Sequence, residues 1–207
     1  MPRPTPIARD SESSDLRQRI LAGAEALLEE RGAAALSLRE VARRAGVTHQ
    51  APYHHFADRE AILAELATRG FAELARRLAE ANEAFPAAGR RATLVASGAA
   101  YVGFALDHPG VFRIMFRPDM CDPAHFPAAQ SAGEAAHAEL RRMVALVHGP
   151  QADEALASVY WSLVHGLAGL MVDGPLGTQL PSARARRAHT IEALTRLAAL
   201  LPLDEAA

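Results

Sequence analysis

Three histidines lie within seven residues of one another, His49, His54 and His55, around the phenol of Tyr53. Imidazole is a common metal ligand and proton carrier, so this segment first raises the question of a metal centre or an acid–base site. Neighbouring histidines diverge around a helix, however, and no cysteine or second acid completes a ligand set beside them. The spacing therefore predicts no metal site.

The rest of the chain offers little catalytic chemistry. All 22 basic residues are arginine, which excludes a Walker A phosphate loop and a lysine Schiff base, because both need an ammonium group. The sequence also lacks G-x-S-x-G, H-E-x-x-H, C-x-x-C and the dinucleotide glycine fingerprint. Cys121 lies among acids, which do not activate a thiol. We predict no catalytic residue and no cofactor, and an enzyme is the least favoured class of function.

Helical spacing of apolar residues dominates the chain, and no convincing period-two strand is present. A flexible arm is predicted at residues 1–14, followed by a first helix that starts at Asp15 and ends at Gly32. The second helix is predicted from a capping box at Ser37 and ends at Gly46. These patterns predict two helices that lead directly into the histidine-rich segment.

The third helix is predicted to begin near His49, and a long fourth helix from the cap at Asp58 to about Ala84. FPAAGRR then breaks the chain before further apolar helices. We therefore predict an all-α protein of about nine helices. A three-helix domain with a helix-turn-helix at residues 15–62 is joined by the long helix to a larger effector-binding and dimerisation domain at residues 63–207.

Two short helices joined by a tight glycine turn form a helix-turn-helix, whose second helix can enter the major groove of DNA. Pro52 fits the first turn of that helix, where backbone N–H groups have few or no partners inside the helix and a missing donor costs little. Gln50 can pair with adenine, and the methyl group of Ala51 can touch thymine. Tyr53 and His54 can donate to phosphate. The alternative is an ordinary helical hairpin within an α-helical bundle.

Charge supports DNA binding only in part. Residues 37–59 hold four arginines against two acids, whereas residues 1–60 hold nine of each. A DNA-binding unit with so little positive charge depends on where its cations lie and on two copies binding together.

The segment LSLREVARRAGVTHQAPYHHFADREAIL resembles the DNA-binding domain of the TetR family of bacterial transcriptional regulators. The resemblance rests on Leu36–Ser37, Val41–Ala42, Ala45–Gly46–Val47–Thr48, Tyr53, His55–Phe56, Asp58–Arg59–Glu60 and Leu63. Further on, WSLVHGLAGL is similar to the Trp-His-Gly signature of one C-terminal subfamily.

The resemblance implies a homodimer, a palindromic operator and repression that a small molecule releases. It places the DNA contacts at Ser37, Arg39, Thr48, His49, Gln50, Tyr53, His54, His55 and Arg59. Two residues depart from the family pattern, which commonly has an apolar residue such as leucine at Pro52 and a lysine at Arg59. An arginine can still bind phosphate there, with a forked geometry in place of a point charge.

The expected partners are therefore double-stranded DNA, a second copy of the chain and a small-molecule effector. An activator, or a regulator controlled by a protein partner, remains an alternative because its DNA-binding chemistry is the same. A single cysteine cannot form an internal disulfide, so the cytoplasm is the expected compartment.

Aromatic and thioether side chains in the helical body predict a ligand pocket for a mostly apolar effector. The candidate residues are Tyr101, Phe104, His108, Phe112, Met115, Phe116, Trp161 and His165. Trp161 and His165 lie on one helix face, and either His165 or Tyr101 can offer the ligand a hydrogen bond. The alternative is a core tryptophan beside a hydrogen-bonded histidine.

Residues 155–172 hold no charged side chain over 18 positions, close to the shortest length that spans a bilayer. Ser158, Ser162 and His165 interrupt this run, and no basic residue flanks it. We therefore expect a helix covered by protein, not by lipid. It forms a predicted four-helix dimer interface with the stripe of Ile191, Leu194, Leu197, Leu200 and Leu201. Burial within one chain is the alternative.

Overall fold

The computed structural model describes residues 6–122 and 124–203. Over those residues the chain forms nine α-helices and three short 3-10 helices, with no strand. The α-helices are α1 (Pro6–Arg31), α2 (Leu38–Ala45), α3 (Arg59–Glu83), α4 (Phe85–Asp107), α5 (Pro109–Met115), α6 (Pro127–His148), α7 (Glu154–Val172), α8 (Pro175–Gln179) and α9 (Ala183–Leu200). The predicted all-α class is confirmed.

Helix α1 begins at Pro6, so the predicted start at Asp15 is wrong and residues 6–14 of the predicted arm are helical. Residues 1–5 lie outside the described part of the chain. Proline is well tolerated at the first position of a helix, and residues 7–14 contain neither glycine nor a second proline. The capping pattern at Asp15 therefore does not stop the helix. Its end agrees with the prediction, because Gly32 follows Arg31 with a positive φ of 72°.

Helix α2 has both predicted caps. The Ser37 hydroxyl oxygen accepts a hydrogen bond from the Glu40 N–H at 3.2 Å, which satisfies a donor that has no partner inside the helix. At the other end Gly46 adopts a left-handed conformation, with φ 66° and ψ 37°. Its N–H donates to carbonyls of the last turn, and the chain then reverses direction. These caps limit α2 to eight residues.

The third helix differs from the prediction, because Ala51–His54 form a 3-10 helix and not an α-helix. The N–H groups of Ala51 and Tyr53 donate to the carbonyls of Thr48 and Gln50, three residues back. Pro52 stands between them and has no N–H, so the four-residue spacing of an α-helix loses a bond there. The proline thus fits the first turn as predicted but keeps the turn short.

Contacts divide the chain into two compact units. The first contains the residues up to Ala67 together with Gly110–Ala129, and the second contains Thr68–Pro109 and the residues from Gln130 onward. The predicted functional division differs in two ways, because it ends the first part at residue 62 and not at 67 and leaves 110–129 out of it. Compactness and function are separate properties, so that division stays a prediction.

Within the first unit, α5 is fastened to α1 by a single carboxylate. Glu29 accepts hydrogen bonds from the N–H groups of Gly110 at 2.6 Å and Val111 at 3.2 Å. A Cβ on Gly110 would lie 2.9 Å from the backbone nitrogen of Glu29, closer than two such atoms can approach. Position 110 therefore requires glycine for the helices to meet in this way.

The second unit has a core of its own, formed by α4, α6, α7, α9 and the segment that follows α9. Its buried cluster contains Leu94, Met143, Val144, Val147, Ala157, Tyr160, Ala198 and Leu203. Arg91 secures the end of α9 by donating to the carbonyls of Ala198, Leu201 and Leu203. The break predicted at FPAAGRR is present at Gly89, whose φ of 79° interrupts α4.

Candidate nucleic-acid interface

Residues 48–55, the recognition segment, present mostly polar side chains to solvent. Those of Thr48, His49, Gln50, Tyr53 and His54 are exposed, and the exposed fraction of Tyr53 reaches 60%. His55, also a predicted DNA contact, is half-buried. Ala51 is 8% exposed, so the predicted contact between its methyl group and thymine is not available. Its methyl group packs against the protein because the 3-10 geometry turns this side of the segment inward.

Two residues anchor the segment from below. Pro52 is buried, and its carbonyl accepts hydrogen bonds from the N–H groups of His55 and Phe56 at 3.0 and 2.9 Å. Phe56 is 4% exposed, and the guanidinium of Arg17 lies 5.1 Å from the centre of its ring. Arg17 in turn forms an ion pair with Glu65 at 2.9 Å. The exposed polar side chains thus belong to a segment that buried residues hold in place.

The N-terminus of α2 offers two further predicted DNA contacts. Ser37 is exposed, and because its oxygen serves as the acceptor of the cap, its hydroxyl proton is still available to donate. Arg39 lies in the first turn and is exposed. Both side chains can therefore reach a phosphate in solvent without breaking a buried interaction.

The other arginines of α2 pair with acids of the same unit. Arg43 and Arg31 both donate to Glu40, at 2.6 and 3.0 Å, and Arg44 pairs with Glu30. The hydrogen bond from Arg43 is the largest of the effects that lower the pKa of Glu40. Exposed pairs of this kind contribute little stability, so these arginines can exchange a carboxylate for a phosphate.

Arg59 is the predicted DNA contact that the structure places differently. Its Nε donates to the carbonyl of Leu36 at 3.0 Å and its Nη2 to the carbonyl of Ala33 at 2.8 Å. Both acceptors belong to the turn before α2 and not to the recognition segment. No sequence pattern indicates this contact, because the partners lie more than twenty residues apart.

Three of the predicted pocket residues form one hydrogen-bonded cluster in the second unit. The Tyr101 hydroxyl accepts from Trp161 Nε1 at 3.2 Å and lies 2.9 Å from His165 Nδ1. Indole can only donate, so Tyr101 is the acceptor in the bond with Trp161, and its hydroxyl proton can point to Nδ1 in the histidine tautomer that leaves Nδ1 unprotonated. Burial raises the pKa of Tyr101 and lowers that of His165, which favours the neutral form of both side chains.

The remaining pocket candidates separate into two groups. Phe104 on α4 and His108, the residue that directly follows α4, lie in the second unit with ring centres 5.3 Å apart. Phe112, Met115 and Phe116 belong to the first unit, where the two phenyl rings meet edge to face at 5.7 Å. The structure thus brings together Tyr101, Trp161 and His165. The sequence had placed Trp161 and His165 on one helix face.

Sequence reasoning missed the neighbour of this cluster, His137. Its ring lies 5.9 Å from that of Trp161, and its Nε2 is 2.7 Å from a carboxylate oxygen of Glu154. A pairing between α6 and α7 leaves no local pattern in the sequence. In the described part of the chain, no group of three or more histidines, cysteines and acids is placed to hold a metal ion.

Large apolar side chains stand in solvent along α7 and α9. Val159, Leu163 and Leu170 on α7 and Ile191 and Leu200 on α9, here called the exposed apolar residues, are each more than 40% exposed. Leu194, which the sequence placed in the same stripe, is 4% exposed and packs into its own unit. Helix α7 is long and apolar enough to cross a membrane by length and composition alone. Within this single chain, 28% of that stretch is buried.

Comparison with known proteins identifies both parts of the chain. Residues 20–66 match the family model described as bacterial regulatory proteins of the TetR family, and residues 94–194 match the tetracyclin repressor-like C-terminal domain. No curated protein matches the chain. The Trp-His-Gly subfamily suggested by WSLVHGLAGL is not confirmed by these matches and stays a prediction.

Solved structures agree with these matches. A protein of unknown function from Rhodococcus sp. RHA1 is 34% identical, with a TM-score of 0.70 over 88% of this chain and 93% of its own. The TetR-family regulator PfmR from Thermus thermophilus is 23% identical, with a TM-score of 0.64 over 86% and 97%. A tetR-family regulatory protein from Rhodococcus RHA1 is 21% identical, with a TM-score of 0.67 over 93% and 98%. The chain belongs to the TetR family and is a DNA-binding transcriptional regulator, not an enzyme.

Proposed function

We propose that the protein is a homodimeric cytoplasmic repressor that binds a palindromic operator and is released by a small, mostly apolar effector. The observation that carries the proposal is the recognition segment, in which exposed polar side chains stand on the buried Pro52 and Phe56. Such a segment can enter a major groove without unfolding its anchor. In this proposal the DNA phosphates are bound by Ser37, Arg39, Tyr53 and the histidines at 49, 54 and 55. Gln50 contacts a base.

The base contact and the phosphate contacts predict different losses. Gln50→Ala removes the side chain that can pair with adenine, so we expect discrimination at one position of each half-site to fall by about 1–3 kcal/mol. Tyr53→Phe removes one hydroxyl donor, so we expect weaker binding of every duplex without a change in preference. Affinities for a set of single-base operator variants measure both effects. Equal, sequence-independent losses from the two variants would contradict these roles.

The exposed apolar residues of α7 and α9 support a homodimer. Five large apolar side chains in solvent on two helices cost free energy, which a second copy can relieve by covering them. A twofold axis would place α7 and α9 against the same helices of the partner, as a four-helix interface. The two recognition segments would then meet half-sites about 34–36 Å apart, one turn of DNA. This arrangement also covers α7 with protein, so no membrane is needed.

The effector is proposed to bind beside the cluster of Tyr101, Trp161 and His165. Trp161 is 38% exposed although it is hydrogen-bonded, so an aromatic surface with polar groups at its edge remains within reach of a ligand. Ligand bound there would shift the population toward a dimer whose recognition segments no longer match successive grooves.

Trp161→Ala is expected to weaken the effector response at least about tenfold, equivalent to about 1.4 kcal/mol. Small apolar compounds that raise the melting temperature of the wild-type protein and release it from DNA would serve as effectors for the comparison. Tyr160→Phe is the matched control, because Tyr160 is buried on the same helix and bonds instead to His148. A folded Trp161→Ala variant with an unchanged response would refute this location.

A further inference from the structure

We propose that Arg59 is a positioning residue for the DNA contacts of α2 and not itself a phosphate ligand. Its guanidinium donates to the carbonyl of Leu36 at 3.0 Å and to that of Ala33 at 2.8 Å. Leu36 is 2% exposed and directly precedes Ser37, the cap of α2. The two bonds therefore hold the residues that determine where α2 begins. The inference rests on the proposed DNA contacts of Ser37 and Arg39.

The position of Arg59 in the chain makes this clamp effective. Arg59 is the first residue of α3, and the turn that begins there is fixed by Asp58, whose carboxylate accepts from the Ala61 N–H at 2.8 Å. The recognition segment lies between α2 and α3 in the sequence. A bond from the start of α3 to the turn before α2 thus joins the two ends of the stretch that contains α2 and the recognition segment. In this proposal the two bonds of Arg59 set where the recognition segment lies relative to the N-terminus of α2.

The geometry needs an arginine. The two bonds use Nε and Nη2 of one planar group, which point to two different carbonyls from a rigid fork. A lysine ammonium has the same charge but is a single point on a flexible stem, so it can replace one bond and not the forked pair. The Ala33 carbonyl also accepts from the Leu36 N–H at 3.0 Å. The same oxygen therefore accepts both the bond from Arg59 and the bond that closes the turn before α2.

Two substitutions in the full-length protein separate positioning from phosphate binding. Arg59→Lys keeps the charge and removes the fork, whereas Arg59→Gln removes the charge. Arg39→Lys and Arg39→Gln are the matched controls, because Arg39 is exposed on α2 itself. The first readout is amide hydrogen exchange of residues 38–45 in the DNA-free protein, with the amides of α7 as an internal check that each variant is folded.

The clamp predicts that Arg59→Lys speeds exchange in α2 by about tenfold or more, since local opening is no longer resisted, while Arg39→Lys leaves it unchanged. Unchanged α2 exchange in Arg59→Lys would overturn the proposal. This comparison needs no DNA, so it decides on the clamp even if the wild-type protein binds no duplex and the proposed function fails.

The second readout is the salt dependence of binding to a random-sequence duplex. Each phosphate contact contributes about 0.9 to the slope of log affinity against log salt, so a pair of contacts in a dimer contributes about 1.8. We expect Arg39→Gln to flatten the slope by about that amount and Arg59→Gln to weaken binding with the slope retained. If Arg59→Gln flattens the slope as much as Arg39→Gln does, Arg59 is a phosphate ligand and the proposal is wrong.

Discussion

Replacing Leu163 and Ile191 together by arginine is expected to convert the protein into a monomer. The two side chains are 44% and 51% exposed in the single chain, and in the proposed dimer they lie in an interface that repeats them across a twofold axis. Each arginine would bring an unpaired charge into apolar surroundings, close to its own copy on the partner. Sedimentation should then show a species of 22.1 kDa, the mass of one chain.

The same variant should bind its operator about 10²–10⁴-fold more weakly. Two linked recognition segments benefit from a high effective concentration at the second half-site, and a monomer loses that benefit without losing a DNA contact. Ala145→Arg, an arginine placed on the exposed side of α6, is the matched control and should leave both assembly and affinity unchanged. A double variant that remains dimeric would place the interface elsewhere.

Phe56→Ala is expected to lower the free energy of unfolding by about 3–5 kcal/mol, because it removes a buried ring and leaves a cavity. The side chain is 4% exposed, lies beneath the recognition segment and receives the guanidinium of Arg17 at 5.1 Å. DNA binding should be lost together with the order of the segment. Chemical denaturation followed by circular dichroism, with DNA titrations on the folded fraction, measures both losses.

Tyr53→Ala is the control for this effect, since Tyr53 is a neighbouring aromatic residue that is 60% exposed. We expect its free energy of unfolding to change by no more than about 0.5 kcal/mol, as for other surface positions, while DNA binding falls. We thus expect Phe56 to anchor the segment and Tyr53 to contact DNA. Loss of stability in Tyr53→Ala equal to that in Phe56→Ala would contradict the division.

Local signals predicted the parts of the fold that depend on neighbouring residues. Ser37 and Gly46 fix the ends of α2 through hydrogen bonds to residues three or four positions away, and sequence patterns record such short-range pairs well. The same kind of signal misplaced the start of α1 at Asp15. A capping pattern shows where a helix can begin but does not show that a preceding helical segment must end.

The parts that could not be predicted depend on residues far apart in the chain. The bonds of Arg59 to Ala33 and Leu36 and the cluster of Tyr101 with Trp161 join separate helices. Neither pairing has a spacing that a sequence pattern could show. A short helix was predicted at this point of the chain, but its 3-10 geometry depends on Pro52, whose missing N–H weighs more in so short a helix than the capping pattern suggested.

The central claim is that a dimer of this protein contacts two successive major grooves through residues 48–55. Selection of bound duplexes from a random DNA pool, using the purified full-length protein, tests it most directly. We predict enrichment of a palindrome whose half-sites lie about one helical turn apart. Enrichment of a non-palindromic sequence, or no enrichment even at low salt, would contradict the claim.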